Sequence, residues 1–132
     1  MQEEQTHAWI FLSVTEEPSK LDEVIGMADA INHAIPTQKE LQNSLGWLKG
    51  NGYISKSGKA YRYSEKGKAL REKISKKKGS ILKAWEAVEK EFIKINSNSN
   101  EKENITPEEI EQSYNKYTKR FWNIYNKISG GK

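Results

Sequence analysis

The stretch PTQKELQNSLGWLKGNGYISKSGKAYRYS, residues 36–64, decides the fold because it combines a helix, a stop and a hairpin. Thr37 and Glu40 form a T-x-x-E capping box, which predicts a helix that begins there. Three leucines at helical spacing give this helix a narrow apolar stripe: Leu41, Leu45 and Leu48. We therefore predict a helix over residues 37–50 with one buried face.

A short basic hairpin is predicted to follow this helix directly. Gly50-Asn51-Gly52 favours a helix end, since glycine tolerates the left-handed backbone that closes a helix. Tyr53 and Ile54 open a strand, Ser57-Gly58 marks a turn, and residues 60–63 form the returning strand.

The outer face of the predicted helix carries amides and a glycine. Lys39, Asn43 and Gly46 point away from the leucines, with Gln42 beside them. The amides of Gln38, Gln42 and Asn43 both donate and accept hydrogen bonds, as a residue that reads adenine in the major groove must. Gly46 leaves no side chain on this surface, which would let the helix backbone approach a partner. An ordinary solvated helix rich in Gln, Asn and Lys remains the alternative.

Charge is strongly segregated along the chain. Residues 1–48 hold 2 Lys/Arg and 8 Asp/Glu, a balance of −6, whereas residues 49–78 hold 11 and 2, a balance of +9. Residues 79–132 hold 9 and 8, which brings the net charge to +4. The basic block coincides with the predicted hairpin and the helix after it, which favours a binder of phosphate backbones. A solvated lysine-rich helix is the alternative.

Composition narrows the classes of function. The 132 residues include no cysteine, which excludes disulfides, thiolate metal sites and cysteine nucleophiles. No apolar run approaches the roughly 20 residues that span a bilayer, and no signal segment is evident at the N-terminus. We expect a soluble cytoplasmic protein. His7, at a predicted helix start, and His33, in a predicted turn, have no spaced catalytic or ligating partners, so we predict no enzyme, cofactor or metal site.

Two further helices are predicted before residue 36. Thr6 is expected to cap the first, which runs to about Glu16 and is apolar around most of its circumference, as a helix buried between two layers would be. Ser19 with Asp22 resembles a second capping box, before a helix over residues 21–32.

Three helices are predicted after the hairpin. Ser64 caps the fourth helix, which runs into the basic residues 76–78, and the fifth begins near Ile81. Residues 96–104 are polar and are expected to form a loop with nothing to bury. Thr106 caps the sixth helix.

One face of the sixth helix is apolar and must meet a partner surface. It carries Ile110, Tyr114, Tyr117, Phe121, Ile124, Tyr125 and Ile128. Packing against the fifth and first helices and a dimer interface are both open. A small-molecule effector pocket among Trp9, Trp85 and Trp122 is a third alternative. We assign residues 1–78 to one domain and residues 79–132 to a helical pair for packing or dimerisation.

The central stretch resembles bacterial winged helix-turn-helix regulators of the MarR-like and PadR-like kind. Leu45-x-x-Leu48-x-x-x-Gly52-Tyr53-Ile54, a basic hairpin and then Tyr63-Ser64-Glu65-Lys66-Gly67 follow the family pattern in order. The resemblance covers roughly residues 8–78. It implies a mainly α fold with a small β-hairpin, that is, a winged helix-turn-helix with a C-terminal helical extension.

The resemblance also implies a function and a set of contacts. It predicts a homodimeric transcriptional regulator that binds double-stranded DNA sequence-specifically, with helix 37–50 in the major groove and wing 53–63 on the backbone or in the minor groove. The implied contacts are Thr37, Gln38, Lys39, Gln42, Asn43, Lys56, Ser57, Lys59 and Arg62. Because the recognition helix has no arginine, the commonest reader of guanine, a winged-helix module that binds an acidic protein is the alternative.

Overall fold

The computed structural model describes residues 1–77, 79–95 and 101–128. The chain is mainly helical, with a small three-stranded antiparallel sheet in the order β1-β3-β2. Its elements are α1 (Glu3–Ser13), β1 (Ser19–Lys20), α2 (Leu21–Asn32), α3 (Gln38–Gly50), β2 (Ile54–Ser57), β3 (Ala60–Tyr63), α4 (Glu65–Ser75), α5 (Ile81–Ile95) and α6 (Pro107–Ile128).

The predicted capping box begins α3. Thr37 Oγ1 accepts from the Glu40 backbone N–H at 3.1 Å, and Glu40 Oε1 accepts from the Thr37 N–H at 2.9 Å. The three leucines of the stripe are fully buried. Both predictions are confirmed, because each depends on side chains within one or two turns of the helix.

The predicted hairpin forms, but β2 begins at Ile54 and the turn lies one residue later than the expected Ser57-Gly58. Ile54 pairs with Tyr63 and Ser57 with Ala60, which leaves Gly58 and Lys59 as a two-residue turn. Gly58 has a φ of 62°, the left-handed backbone that such turns require. The third strand, β1, pairs with β3 and was not predicted, because two residues are too few to show an alternating pattern.

The prediction for α1 is correct in burial and wrong in its ends. The helix begins at Glu3 and ends at Ser13, so Thr6 lies inside it and donates to the Gln2 carbonyl at 3.2 Å. The expected burial on all sides is confirmed, since Thr6 through Ser13 are all buried and α1 packs against α2, α3 and α5.

The predicted capping box at the start of α2 is wrong. Glu23, not Asp22, accepts from a backbone N–H ahead of the helix, that of Lys20, at 3.0 Å. Asp22 instead pairs with Arg120 of α6, with Oδ2 and Nη1 2.6 Å apart. The end of α2 at Asn32 is confirmed.

One hydrophobic core joins the residues on both sides of position 78. Ser64 caps α4 as predicted, and its hydroxyl accepts from the Gly67 N–H at 3.1 Å. α5 packs against α1 and α4 and adds Trp85, Val88 and Phe92 to the core. The proposed units 1–78 and 79–132 therefore share buried surface.

The two halves of α6 differ. In the first half Ile110 is buried, the Tyr114 hydroxyl donates to the Pro36 carbonyl at 2.6 Å, and the Tyr117 hydroxyl donates to Asp29 Oδ2 at 2.6 Å. The main neighbour is α2, and not the first and fifth helices named in the alternative of internal packing. α6 has 22 residues and α2 only 12, so the helices cannot cover one another along their whole length.

The second half of α6 presents its aromatic side chains to solvent. Phe121, Trp122, Ile124 and Tyr125 are each about half exposed, and the side chain of Ile128 lies outside the described part of the chain. The apolar face predicted from the sequence is thus divided between an internal contact and an open surface.

Candidate nucleic-acid interface

The outer face of α3 is covered by residues 101–105 of the same chain, which we call the strap. Gln38 Nε2 and Gln42 Nε2 both donate to the Ile105 carbonyl, at 2.9 and 3.3 Å. The Glu103 N–H donates in turn to the Gln42 carbonyl at 2.9 Å. Two of the predicted base-reading side chains are therefore bonded within the molecule, and the expectation that they are open to a partner is wrong for this conformation.

Gly46 makes this close contact possible. A Cβ atom added at this position would collide with the backbone of Glu101 and Lys102 and lie 2.6 Å from the Glu103 nitrogen. Real Cβ atoms do not approach backbone atoms so closely, so only glycine fits beneath the strap. The sequence predicted that the helix backbone could approach a partner at Gly46, whereas the segment in close contact there belongs to the same chain.

The strap corrects the prediction that residues 96–104 have nothing to bury. Glu103 is 7% exposed and Ile105, just after the predicted loop, is 2% exposed. Residues 96–100 lie outside the described part of the chain. A local signal for the anchor was present, because Ile105 and Ile110 occupy the two positions of a hydrophobic staple around the Thr106 cap.

The Glu103 carboxylate lies between two lysines from different elements. Oε1 is 3.0 Å from Lys49 Nζ on α3, and Oε2 is 3.7 Å from Lys56 Nζ on β2. Burial alone would raise the pKa of the Glu103 carboxyl, but the nearby Tyr61 hydroxyl and the two ammonium groups outweigh burial and hold that pKa below its ordinary value. The carboxylate is therefore held in its charged form.

The other residues of α3 that were predicted to contact DNA are not covered by the strap in the same way. The Lys39 side chain is exposed, and Asn43 is half-buried and makes no side-chain hydrogen bond to the described residues. Thr37 is occupied as the helix cap. The covered strip of α3 runs along Gln38, Gln42 and Gly46, leaving one flank of the helix open.

The predicted wing residues remain at the surface. Lys56, Ser57, Lys59 and Arg62 are all exposed, and Lys56 Nζ also lies 5.3 Å from the centroid of the Tyr61 ring. Within the described ranges, neither Lys59 nor Arg62 has a carboxylate within ion-pair distance. Farther along the basic block, Lys73 is paired with Glu91 at 3.0 Å. Lys59 and Arg62 are thus cations of the hairpin without an ion-pair partner among the described residues.

A lysine-lined cleft of about 340 Å³ lies between β1, the hairpin and α6. Asp22 and Glu109 are its acidic residues, and Asp22 is already paired with Arg120. The lysines that line it are Lys20, Lys56, Lys59 and Lys116. The sequence did not indicate this grouping, because the lysines come from β1, the hairpin and α6, which are far apart along the chain.

The three tryptophans proposed for an effector pocket do not come together. Trp9 and Trp85 are buried in the core and stack with ring centroids 6.1 Å apart. Trp122 is exposed on α6 and contacts the rings of Phe121 and Tyr125. Among the described residues it makes no ring contact with the other two tryptophans.

His7 lies within α1 and not at the start of a helix, and its side chain is buried against the inner side of α3. Its Nδ1 lies 2.8 Å from Ser44 Oγ, and its ring stacks on Trp47 with centroids 4.6 Å apart. Burial lowers the pKa of His7 to about 4, although the nearby Glu4 carboxylate acts in the opposite direction. His33 lies at the turn after α2, as predicted, with a φ of 56°.

Comparison with known proteins identifies no relative: no family model, no curated protein and no solved structure matches the chain. In the part of the chain that the structure describes, no helix is both long and apolar enough to cross a membrane. The contacts of the interface are therefore the basis for any functional inference.

Proposed function

We propose that this chain is a winged-helix protein that binds double-stranded DNA through α3 and the hairpin. The observation that carries the proposal is the position of an exposed cationic hairpin directly beside α3. The Tyr53 N–H donates to the Leu48 carbonyl at 2.9 Å, which joins the start of the hairpin to the end of the helix. The hairpin contains three cations and no carboxylate over residues 54–63. Such a pair of elements suits a groove and its flanking phosphates.

The order of the elements supports the same proposal. α1, β1, α2 and α3 precede the hairpin, and β1 completes a sheet with it. This is the order of helices and strands in a winged helix-turn-helix. The hairpin is thereby held on two sides, by pairing with β1 and by packing against α3.

Entry of α3 into a major groove requires the strap to leave. Ile105 and Glu103 stand where the bases would have to approach Gln38 and Gln42. The conformation described above is accordingly a closed state, and DNA would bind an open one. The flank with Lys39 and the wing residues Lys59 and Arg62 are accessible in both.

A selection from a random duplex pool, followed by salt titration of the recovered sequences, tests the proposal. Affinity should fall steeply with salt, and the Asn43→Ala variant should lose sequence preference more than it loses affinity. Failure to recover any duplex at low salt would contradict the proposal that the chain binds DNA. A regulator built as a dimer through the second half of α6 would select two half-sites about 10 bp apart or a multiple of that.

Docking of an acidic protein segment is a second candidate, favoured by the strap itself. The strap contributes Glu101 and Glu103, and the second of these is bound by Lys49 and Lys56. The surface therefore accommodates an acidic extended peptide. Binding of an acidic peptide in place of the strap, with no binding of duplex DNA, would favour this candidate.

A further inference from the structure

The carboxylate of Glu103 occupies a small anion site built from both elements of the interface. Lys49 comes from the last turns of α3 and Lys56 from β2, and their side chains are 30% and 29% exposed. Glu103 Oε2 has no hydrogen-bond partner among the described residues. This oxygen is therefore held by the charge of Lys56 at 3.7 Å and not by a hydrogen bond.

We propose that Lys49 and Lys56 bind a backbone phosphate of duplex DNA, and that Glu103 holds this place in the closed state. The inference rests on the proposed function and adds its first specific phosphate contact and a means of control. A phosphodiester presents one negative charge on two terminal oxygens, as a carboxylate does. The same two ammonium groups can therefore bind either one, but not both together.

The strap acts in this proposal as an internal competitor. The apparent affinity for DNA equals the affinity of the open state reduced by the fraction of molecules that are open. Any change that weakens the strap without changing the DNA-binding surface should therefore strengthen DNA binding. This distinguishes a competitor from a segment that merely completes the fold.

Two variants weaken the strap by different means. Glu103→Gln removes the charge between the two lysines and keeps the shape of the side chain. Gly46→Ala places a methyl group where the strap backbone lies, and alanine is the better helix former, so α3 itself is retained. Glu86→Gln is the matched control, because Glu86 is exposed on α5 and its loss changes net charge by the same amount.

The measurement is fluorescence anisotropy of a labelled duplex at several salt concentrations, with circular dichroism to verify helical content. We expect Glu103→Gln to bind duplex about three- to tenfold more tightly than Glu86→Gln. Gly46→Ala should also bind more tightly than wild type. In the Glu103→Gln background, replacing Lys49 or Lys56 by Gln should lower the salt slope by about one each.

The outcomes distinguish a failure of the phosphate site from a failure of the proposed DNA binding. If wild type binds duplex and neither strap variant binds more tightly than the charge control, the phosphate site and the competing strap are wrong while DNA binding stands. If neither wild type nor the folded strap variants bind duplex at low salt, the proposed function and the inference both fail. If the strap variants gain affinity for an acidic peptide and not for DNA, the site belongs to a protein partner and the phosphate assignment is overturned.

Discussion

The outer face of α3 and the outer face of the hairpin were both expected to meet DNA, yet the chain covers one and leaves the other open. On α3, the amides of Gln38 and Gln42 bond to a carbonyl of the strap. On the hairpin, Lys59 and Arg62 remain exposed. Amide groups are neutral and can be buried once hydrogen-bonded, whereas burial of a cation requires a compensating charge. The comparison teaches that amides on a helix face do not by themselves indicate an external partner.

The largest expected effect concerns the apolar anchor of the strap. Ile105→Ala should lower the free energy of unfolding by about 2–5 kcal/mol, because it removes a fully buried side chain and leaves a cavity. Ile35→Ala, at a residue 45% exposed, should change it by less than about 0.5 kcal/mol. Denaturant unfolding of both variants measures the difference. Equal small losses would mean that the strap is not anchored as described.

A second test concerns the inner side of α3 and its dependence on pH. Because the pKa of His7 is lowered to about 4 in the folded state from 6.5, the unfolded chain binds more protons between these values. The contribution of neutral His7 is complete above pH 6.5 and should decrease as the pH falls toward 4, by at most roughly 3 kcal/mol. Unfolding free energies measured across this range should show the loss. His7→Gln should flatten it, and an unchanged profile would contradict the assignment.

A smaller effect is expected for the Glu103 carboxylate, which contacts Lys49 on α3 and Lys56 on the hairpin. Glu103→Gln should destabilise the fold by roughly 1–2 kcal/mol, since it removes a charged acceptor from Lys49 and Lys56. Because the pKa of the carboxyl is lowered from its ordinary 4.5, its contribution is present above that pH and lost as the pH falls below it. The stability difference between wild type and variant should therefore shrink as the pH falls below 4.5. A difference independent of pH would show that packing, not charge, is responsible.

The smallest effect on stability is expected on the open face. Arg62→Ala should change the free energy of unfolding by less than about 0.5 kcal/mol, because the side chain is exposed and unpaired within the described residues. If the hairpin binds DNA, the same variant should lower the salt slope by about one. Thermal unfolding and salt-dependent anisotropy measure the two quantities independently. A large loss of stability would place Arg62 in the fold and not at a binding surface.

Local side-chain chemistry made the ends of several elements predictable. Thr37, Ser64 and Thr106 cap helices as expected, because each hydroxyl needs only a backbone N–H within the next turn. The start of α1 and the capping pair of α2 were missed, because neither depends on the hydroxyl that was expected to cap the helix. Gln2 gives α1 no side-chain cap, and the carboxylate at the start of α2 comes from Glu23.

The candidate site was predicted only in part. The residues of α3 and the hairpin are close together in the sequence, whereas the strap that covers α3 comes from a distant part of the chain. The basic hairpin and the glycine on α3 were recognised, but the residues that fill the face of α3 lie more than fifty positions away. Nothing about Glu103 within its polar neighbourhood predicts burial between Lys49 and Lys56. Its position depends on how α5 and α6 return the chain across α3.

By itself the sequence determined the helices with local caps, the presence of the hairpin and the segregation of charge, because these depend on neighbouring residues and on composition. Tertiary structure alone decided that the strap covers α3, that α6 packs on α2, and that half of its aromatic face stays exposed. The physical reason is that a local pattern determines which groups a surface can bind. The path of the chain and the lengths of its helices determine which segment covers that surface. For α3, the acceptor that binds the Gln38 amide is the Ile105 carbonyl of the same chain.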